Sequence, residues 1–285
     1  MALDTCYVDE LKGLDALESV EERDNVGKRL WDGTWPKVAA VGLFVAFWQV
    51  VVWLHLKPEY VLPAPATALR EFAAQLTQPT FWQATSVTLT RGIVGFLVAS
   101  VIGLALGVLV ARSRILRTAL GSLITGLQTM PSIAWFPLAI LLFQLSEQAI
   151  LFVILIGAVP SIANGVISGV DYVPPLLVRA GRNLGARGFA LYRHVVIPAA
   201  LPGIVSGLKQ GWAFAWRSLL AGELIVAIAN RPSLGAFLSN SRELGEPAYM
   251  LALMIGILLI GVLVDTAFTS IDNVIRRKRG VLANI

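Results

Sequence analysis

Charge is scarce in this sequence: only 14% of its 285 residues are Asp, Glu, Lys or Arg, whereas 56% are hydrophobic. An ordinary soluble domain carries about a quarter of its residues charged, so a soluble globular chain is excluded on composition. Cysteine is nearly absent. The single Cys6 rules out an intrachain disulfide and a cysteine-built metal site. The two histidines, His55 and His194, have no His, Cys or acid neighbour at ligand spacing, which argues against any metal centre. Also missing are the G-x-x-x-x-G-K-[ST] phosphate loop, H-E-x-x-H and G-x-S-x-G, so neither an ATP site of the usual kind nor an intramembrane hydrolase is expected. Residues 1–37 lack the basic start and apolar core of a signal peptide and hold nine acids against five Lys or Arg. A formal charge of +5 is no argument for nucleic acid here, because basic excess in membrane proteins collects in loops.

What is abundant is long apolar runs. A bilayer core of about 30 Å needs roughly 20 apolar residues in a helix. Six stretches meet that length: 38–56, 89–111, 119–145, 149–170, 199–228 and 249–268. The chain therefore reads as an all-α membrane protein, with a tail (1–37), a six-span domain (38–270) and a basic C-terminal tail (271–285). Placing both termini in the cytoplasm puts sixteen Lys or Arg on that side and four on the other, Lys57, Arg70, Arg231 and Arg242. The positive-inside bias favours this orientation and a multi-pass protein of the cell membrane.

Several features of the spans bear on packing. Gly95, Ala99, Gly103 and Gly107 recur every four residues, forming a line of small residues against which another helix can pack closely. The third span contains Pro131 and Pro137, each of which removes a helical hydrogen bond; the resulting kink either lines a pathway or packs in a bend. Between the first two spans, residues 66–75 read as a helix, serving an external partner or resting at the interface with Phe81 and Trp82. In the acidic tail, Leu11, Leu14 and Leu17 fall at near-helical spacing without implying a function.

The segment between the fourth and fifth spans, 171–198, is long for a turn. Pro174 and Pro175 open a short helix in which Leu177, Ala180, Gly181 and Leu184 share a face, while Arg179 and Arg182 point elsewhere. Gly185 breaks it. A second short helix from Ala186 carries Phe189, Tyr192 and Val196, and Pro198 introduces the fifth span. Such a knob suits either a membrane-lying helix or a docking element.

At this point the sequence resembles the permeases of binding-protein-dependent ABC importers, whose cytoplasmic loop follows E-A-A-x3-G-x9-I-x-L-P. Arg179, Ala180 and Gly181 stand at the opening places, Gly185 at the glycine, and Val195, Ile197 and Pro198 at the close. Arg179 replaces the family's acid and Gly181 its second alanine, so the contact of that acid does not carry over. The segments Gln128-Thr-Met-Pro-Ser-Ile-Ala-Trp-Phe-Pro-Leu and Pro198-Ala-Ala-Leu-Pro-Gly look most like the nitrate, bicarbonate, taurine and aliphatic-sulfonate branch. The resemblance implies a type I importer permease fold whose coupling loop includes Phe189 and Tyr192. It also implies a homodimer, two ATPase subunits holding ATP and Mg on the cytoplasmic side, and an extracytoplasmic substrate-binding protein. This chain would bind no cofactor itself. A small anion is the expected cargo, with a neutral heterocycle as the alternative; a stand-alone secondary transporter fits less well, for lack of an internal repeat.

Ionisable residues inside spans are costly and therefore informative. Arg91 and Asp265 fall near span ends, where side chains can reach the interface. Lys209 shares a face of the fifth span with Trp212, Trp216 and Glu223, and Arg217 lies on a neighbouring face. Together with Pro131 these are the candidate pathway residues. The two cations either lend a pathway a positive potential or pair with Glu223 to fix the bundle, and the tryptophans suit packing bulk.

Overall fold

The computed structural model describes residues 26–228 and 231–278 of the chain, which falls into two units, Met1–Pro65 and Ala66–Ile285. Leu11, Leu14 and Leu17 lie outside the described residues, as do the last seven of the basic tail. In the first unit, helix α1 (Val26–Trp53) begins well before the apolar run and is followed by a turn region. There the Trp48 Nε1 donates to the Pro63 carbonyl over 3.1 Å.

The second unit is helical throughout its described elements. It runs α2 (Pro65–Gln75), α3 (Pro79–Arg112), α4 (Arg114–Thr129), a 3-10 turn (Ser132–Trp135) and α5 (Phe136–Phe143). Then follow α6 (Glu147–Asp171), α7 (Pro175–Asn183), α8 (Gly188–Leu191), a π-turn (Tyr192–Val196), α9 (Ile197–Ile225), α10 (Leu234–Glu243) and α11 (Pro247–Lys278). Among the described residues of the two units, five helical stretches are long and apolar enough to cross a membrane, and a sixth crossing arises if α4 and the Ser132–Phe143 segment form one span.

That sixth crossing differs from the kinked helix expected from the sequence. Its two halves meet at 102°. The cause is local: a residue before proline avoids the helical region, and Met130 (φ −79, ψ 129) and Pro131 (φ −58, ψ 127) are both extended. Two consecutive non-helical residues break a helix that one missing hydrogen bond would only bend.

Helix α6 forms the centre. On one side it meets the small-residue line of α3: a Cβ on Gly95 would fall 2.9 Å from Ile154 Cδ1, and one on Gly103 2.8 Å from Ile162 Cβ. On the other side it meets α9 backbone to backbone. A Cβ on Gly165 would lie 2.3 Å from Gly207 Cα, and one on Gly203 2.5 Å from Gly169 Cα. Glycine is required at Gly103, Gly165 and Gly203, where a Cβ would meet backbone or a branched Cβ, while at Gly95 only the Ile154 side chain would have to move.

Candidate functional site: two faces of one helix and a loop at its end

Helix α9 starts from a proline and carries two kinds of face. Spacings of three and four place Lys209, Trp212, Trp216 and Glu223 together, as the sequence suggested. The structure turns this face toward α3 and α11. Trp212 meets Phe96 edge-on, with ring centroids 5.4 Å apart, and lies 6.1 Å from Phe268. Trp216 stacks on Trp212 and approaches Gly92 and Gly261, so both tryptophans are buried in helix packing.

Glu223 ends this face, fully buried, and is satisfied from three directions. It accepts from Arg91 Nη1 (2.9 Å), Thr88 Oγ1 (2.9 Å) and the Gly235 amide (3.2 Å). Arg91 in turn grips Glu147 through Nε (2.8 Å) and Nη2 (2.7 Å), a forked geometry that a lysine could not reproduce. Thr88 accepts from the Leu234 amide at 3.0 Å, and Arg231 reaches Glu147 at 3.3 Å. The network thus ties α3, α6 and α9 to the start of α10, with Glu223 and Thr88 serving amides that the helix itself leaves open. This corrects the expectation that Arg91 snorkels to an interface: its side chain is only 8% exposed. The reason is the true length of α3, which begins ten residues before the apolar run and so places Arg91 well inside the helix.

The sequence also allowed Lys209 or Arg217 to pair with Glu223, and neither does. Lys209 Nζ donates to Thr269 Oγ1 at 2.7 Å and lies 3.2 Å from Asp265 Oδ1, both on α11. Among the described residues Arg217 has no ion pair. Its Nε donates to the Ala213 carbonyl one turn back, and its guanidinium sits 5.1 Å from the Phe214 ring centroid.

A neighbouring face of α9 carries Ser206, Gln210 and Arg217, all exposed and spaced by four and seven. Two other helices carry polar lines of their own. In α4, Thr118, Ser122, Thr125 and Thr129 form an exposed stripe. In α6, Gly157, Ser161, Asn164 and Ser168 share one face, which is tied to α4 by Asn164 donating to Gln128 at 3.1 Å. At the break after Pro131, Ser218 donates to Ser132 over 2.8 Å beside Gly157, which has no room for a Cβ. Sequence reading singled out Arg217 and Pro131 but missed these hydroxyl and amide lines. Their signal was present as polar residues at helical spacing inside apolar runs.

The loop at the start of α9 is built as a compact knob. Helix α7 ends in a left-handed glycine, Gly185 (φ 87), with the Ala186 amide bonded to Gly181 O and the Gly185 amide to Arg182 O, each at 3.0 Å. Gly181 is buried because a Cβ there would fall 2.8 Å from Val195 Cγ2. The second short helix starts at Gly188, two residues later than expected, and does not stand apart from the fifth span. It continues through the π-turn into α9, because Pro198 supplies no amide and the Ile197 amide reaches back five residues to Tyr192 O. Ala180 and Phe189 are exposed, and Arg112 lies 6.0 Å from the Tyr192 ring.

Comparison with known proteins agrees with this architecture. Residues 99–277 match the family described as binding-protein-dependent transport system inner membrane component. Over 241 residues the chain is 31% identical to an ABC transporter permease protein of Methanocaldococcus jannaschii, covering 83% of this chain and 89% of that one. The taurine transport system permease protein TauC of Escherichia coli is 26% identical over 82% of this chain and 86% of its own. The nitrate import permease protein NrtB of a Synechocystis strain is 26% identical over 84% and 90%. Among solved structures, an inward-facing MetNI methionine ABC transporter chain superposes with a TM-score of 0.61 at 22% identity, covering 70% of this chain and 99% of that chain. Matched along more than half its length, the chain belongs to the inner-membrane permease family of ABC importers, in the branch that contains nitrate, taurine, bicarbonate and sulfonate permeases.

Proposed function

We propose that this chain is the membrane subunit of an ABC importer for a small oxyanion: an aliphatic sulfonate, taurine, nitrate or bicarbonate. It works beside a second copy of itself, hydrolyses no ATP, and is driven by two ATPase subunits that hold ATP and Mg and dock on loop 171–198. A substrate-binding protein delivers cargo at the opposite face, and both termini lie in the cytoplasm.

The observation that carries the substrate class is Arg217. Arg91 and Lys209, the other basic residues well inside the spans, have carboxylate partners, whereas Arg217 faces outward with none among the described residues. An unpaired guanidinium within a span is tolerable against water or an anion, not against lipid. The outer face of α9 around Arg217 carries Ser206 and Gln210 and no acid, so it offers donors and positive potential. Names borne by the relatives in this branch support the same class. Lys209, whose charge is neutralised by Asp265, braces α9 against α11 on this reading.

The test uses vesicles holding the complete transporter with its binding protein. Arg217→Gln should lower uptake of the labelled anion by about tenfold or more, with complex yield unchanged, because steering by charge is worth about that much. Unchanged anion uptake would overturn the assignment of Arg217, and a neutral heterocycle carried equally by wild type and variant would overturn the anion class.

A further inference from the structure

The loop that docks the ATPase has an unusual charge. From Tyr172 to Pro198 it contains Arg179, Arg182, Arg187 and Arg193 and no Asp or Glu. All four arginines are exposed, and none forms an ion pair among the described residues, although Arg117 and Asp171 just outside the segment do pair at 2.8 Å. Four unpaired like charges on one small knob repel each other and raise its potential by several kT. Nothing on the knob itself offsets that cost.

Two of the charges, Arg182 and Arg187, also line a concavity. A cleft of ≈ 580 Å³ opens between α7 and α8, lined by Arg182, Asn183, Ala186, Arg187, Gly188 and Tyr192, with Leu191 at its floor. Outside it stand large exposed apolar side chains: Tyr172, Leu176, Leu184 and Phe189, each at least 66% exposed. This is the composition of a protein contact, in which apolar anchors carry affinity and arginines select the partner.

We infer, on the reading that this loop is the ATPase dock, that the cognate ATPase presents an acidic surface to it, with a carboxylate side chain entering the cleft between Arg182 and Arg187. The permease side of the joint is wholly positive, including Arg179 where the resembled pattern has an acid, so recognition is by charge opposition across the interface. Specificity follows: an ATPase with a basic or neutral surface at that place is rejected by this chain.

Anionic lipid is the competing occupant, and the geometry disfavours it. A membrane-lying helix turns its whole apolar face to the acyl boundary. In α7 the Val178 and Gly181 side is already taken by Leu191 and Val195. The charged surface between Arg182 and Arg187 is concave, and a flat bilayer surface does not fill that cleft.

The experiment measures affinity of the purified permease for its own ATPase in detergent between about 50 and about 500 mM NaCl, a range over which the screening length falls below contact-spanning distances. Wild type should lose about tenfold or more in affinity across that range. Arg182→Gln with Arg187→Gln should bind about tenfold more weakly at low salt and show a flatter salt dependence, while Arg193→Gln, on the same knob but outside the cleft, should lose clearly less. Salt-insensitive binding by wild type, or an equal loss in Arg193→Gln, would overturn the inference. So would variants that bind ATPase normally but lose activation by vesicles containing anionic lipid, since the arginines would then serve the membrane. Gly185→Val separates the two levels of the argument. If it still abolishes a complex whose wild-type form ignores salt, the dock stands and the acidic partner falls; if complex forms normally despite it, the dock itself falls.

Discussion

Two faces of α9 hold charged residues, and they differ in every respect that matters. The inner face is matched: Glu223 meets Arg91 and a helix start, Lys209 meets Asp265, and two tryptophans fill the space between. The outer face is unmatched, because among the described residues Arg217 finds only its own backbone and a ring. A charge in a span is therefore informative through its partner rather than its depth. Matched charges specify which helices pack, and an unmatched one marks a surface awaiting water, a second subunit or cargo.

The largest effect should come from unbalancing the matched side. Arg91→Met leaves Glu147 and Glu223 without their shared cation and should cost about 3 to 5 kcal/mol, seen as loss of folded protein or a large fall in melting temperature in detergent. Arg91→Lys should recover only part of it, since an ammonium cannot fork between two carboxylates. A melting temperature within a degree or two of wild type for Arg91→Met would show that the network contributes little and would erase the contrast between the faces.

Next in size is the glycine contact between α6 and α9, which holds both faces in their orientation. Gly207→Val places a branched side chain 2.7 Å from Gly165 Cα, against backbone that cannot rotate away. Overpacking of this kind costs about 1 to 3 kcal/mol or more. Melting temperature and permease self-association should both fall. A smaller, local effect is expected at Gly185, where the Cβ position is open but φ is 87. Gly185→Val should cost about 1 to 2 kcal/mol within the knob and abolish ATPase docking while leaving membrane insertion intact. Normal recovery of the complex would detach the loop from docking.

Much of this was legible in the sequence, and the misses have physical causes. The apolar runs located the long helices because a bilayer imposes length, and the small-residue line of α3 announced close packing. The glycines of α6 and α9 repeat at the same spacing, yet periodicity does not name a partner, so the Gly165 and Gly207 contact had to be seen. Arg91 was misplaced because the first turns of α3, with Thr80, Gln83, Thr85 and Ser86, are too polar to read as span. The bend at Pro131 was underestimated because one proline kinks a helix, whereas the break here also needs Met130 extended. The fork of Arg91 between two acids 76 residues apart in sequence, Glu147 and Glu223, leaves no local trace at all.

The finest test of the contrast is Lys209, which sits at the edge of the matched face. Its side chain is 35% exposed and that of Asp265 58%, so the pair is far less desolvated than the network around Arg91. Pairs this exposed contribute about 1 kcal/mol or less. Lys209→Met should therefore lower the melting temperature slightly, and the orphaned Asp265 should account for part of the loss. Adding Asp265→Asn to Lys209→Met should restore most of it, a coupling that a double-mutant cycle reads directly. Glu223→Gln should give no such rescue, because Glu223 belongs to the Arg91 network. Uptake measured in the same vesicles separates bracing from passage: with Asp265 intact, Lys209→Arg should transport at the wild-type rate, and the double variant should too. If uptake instead collapses in the double variant while its stability is normal, the positive charge of Lys209 acts on the cargo, and the line between the two faces must be redrawn to include it.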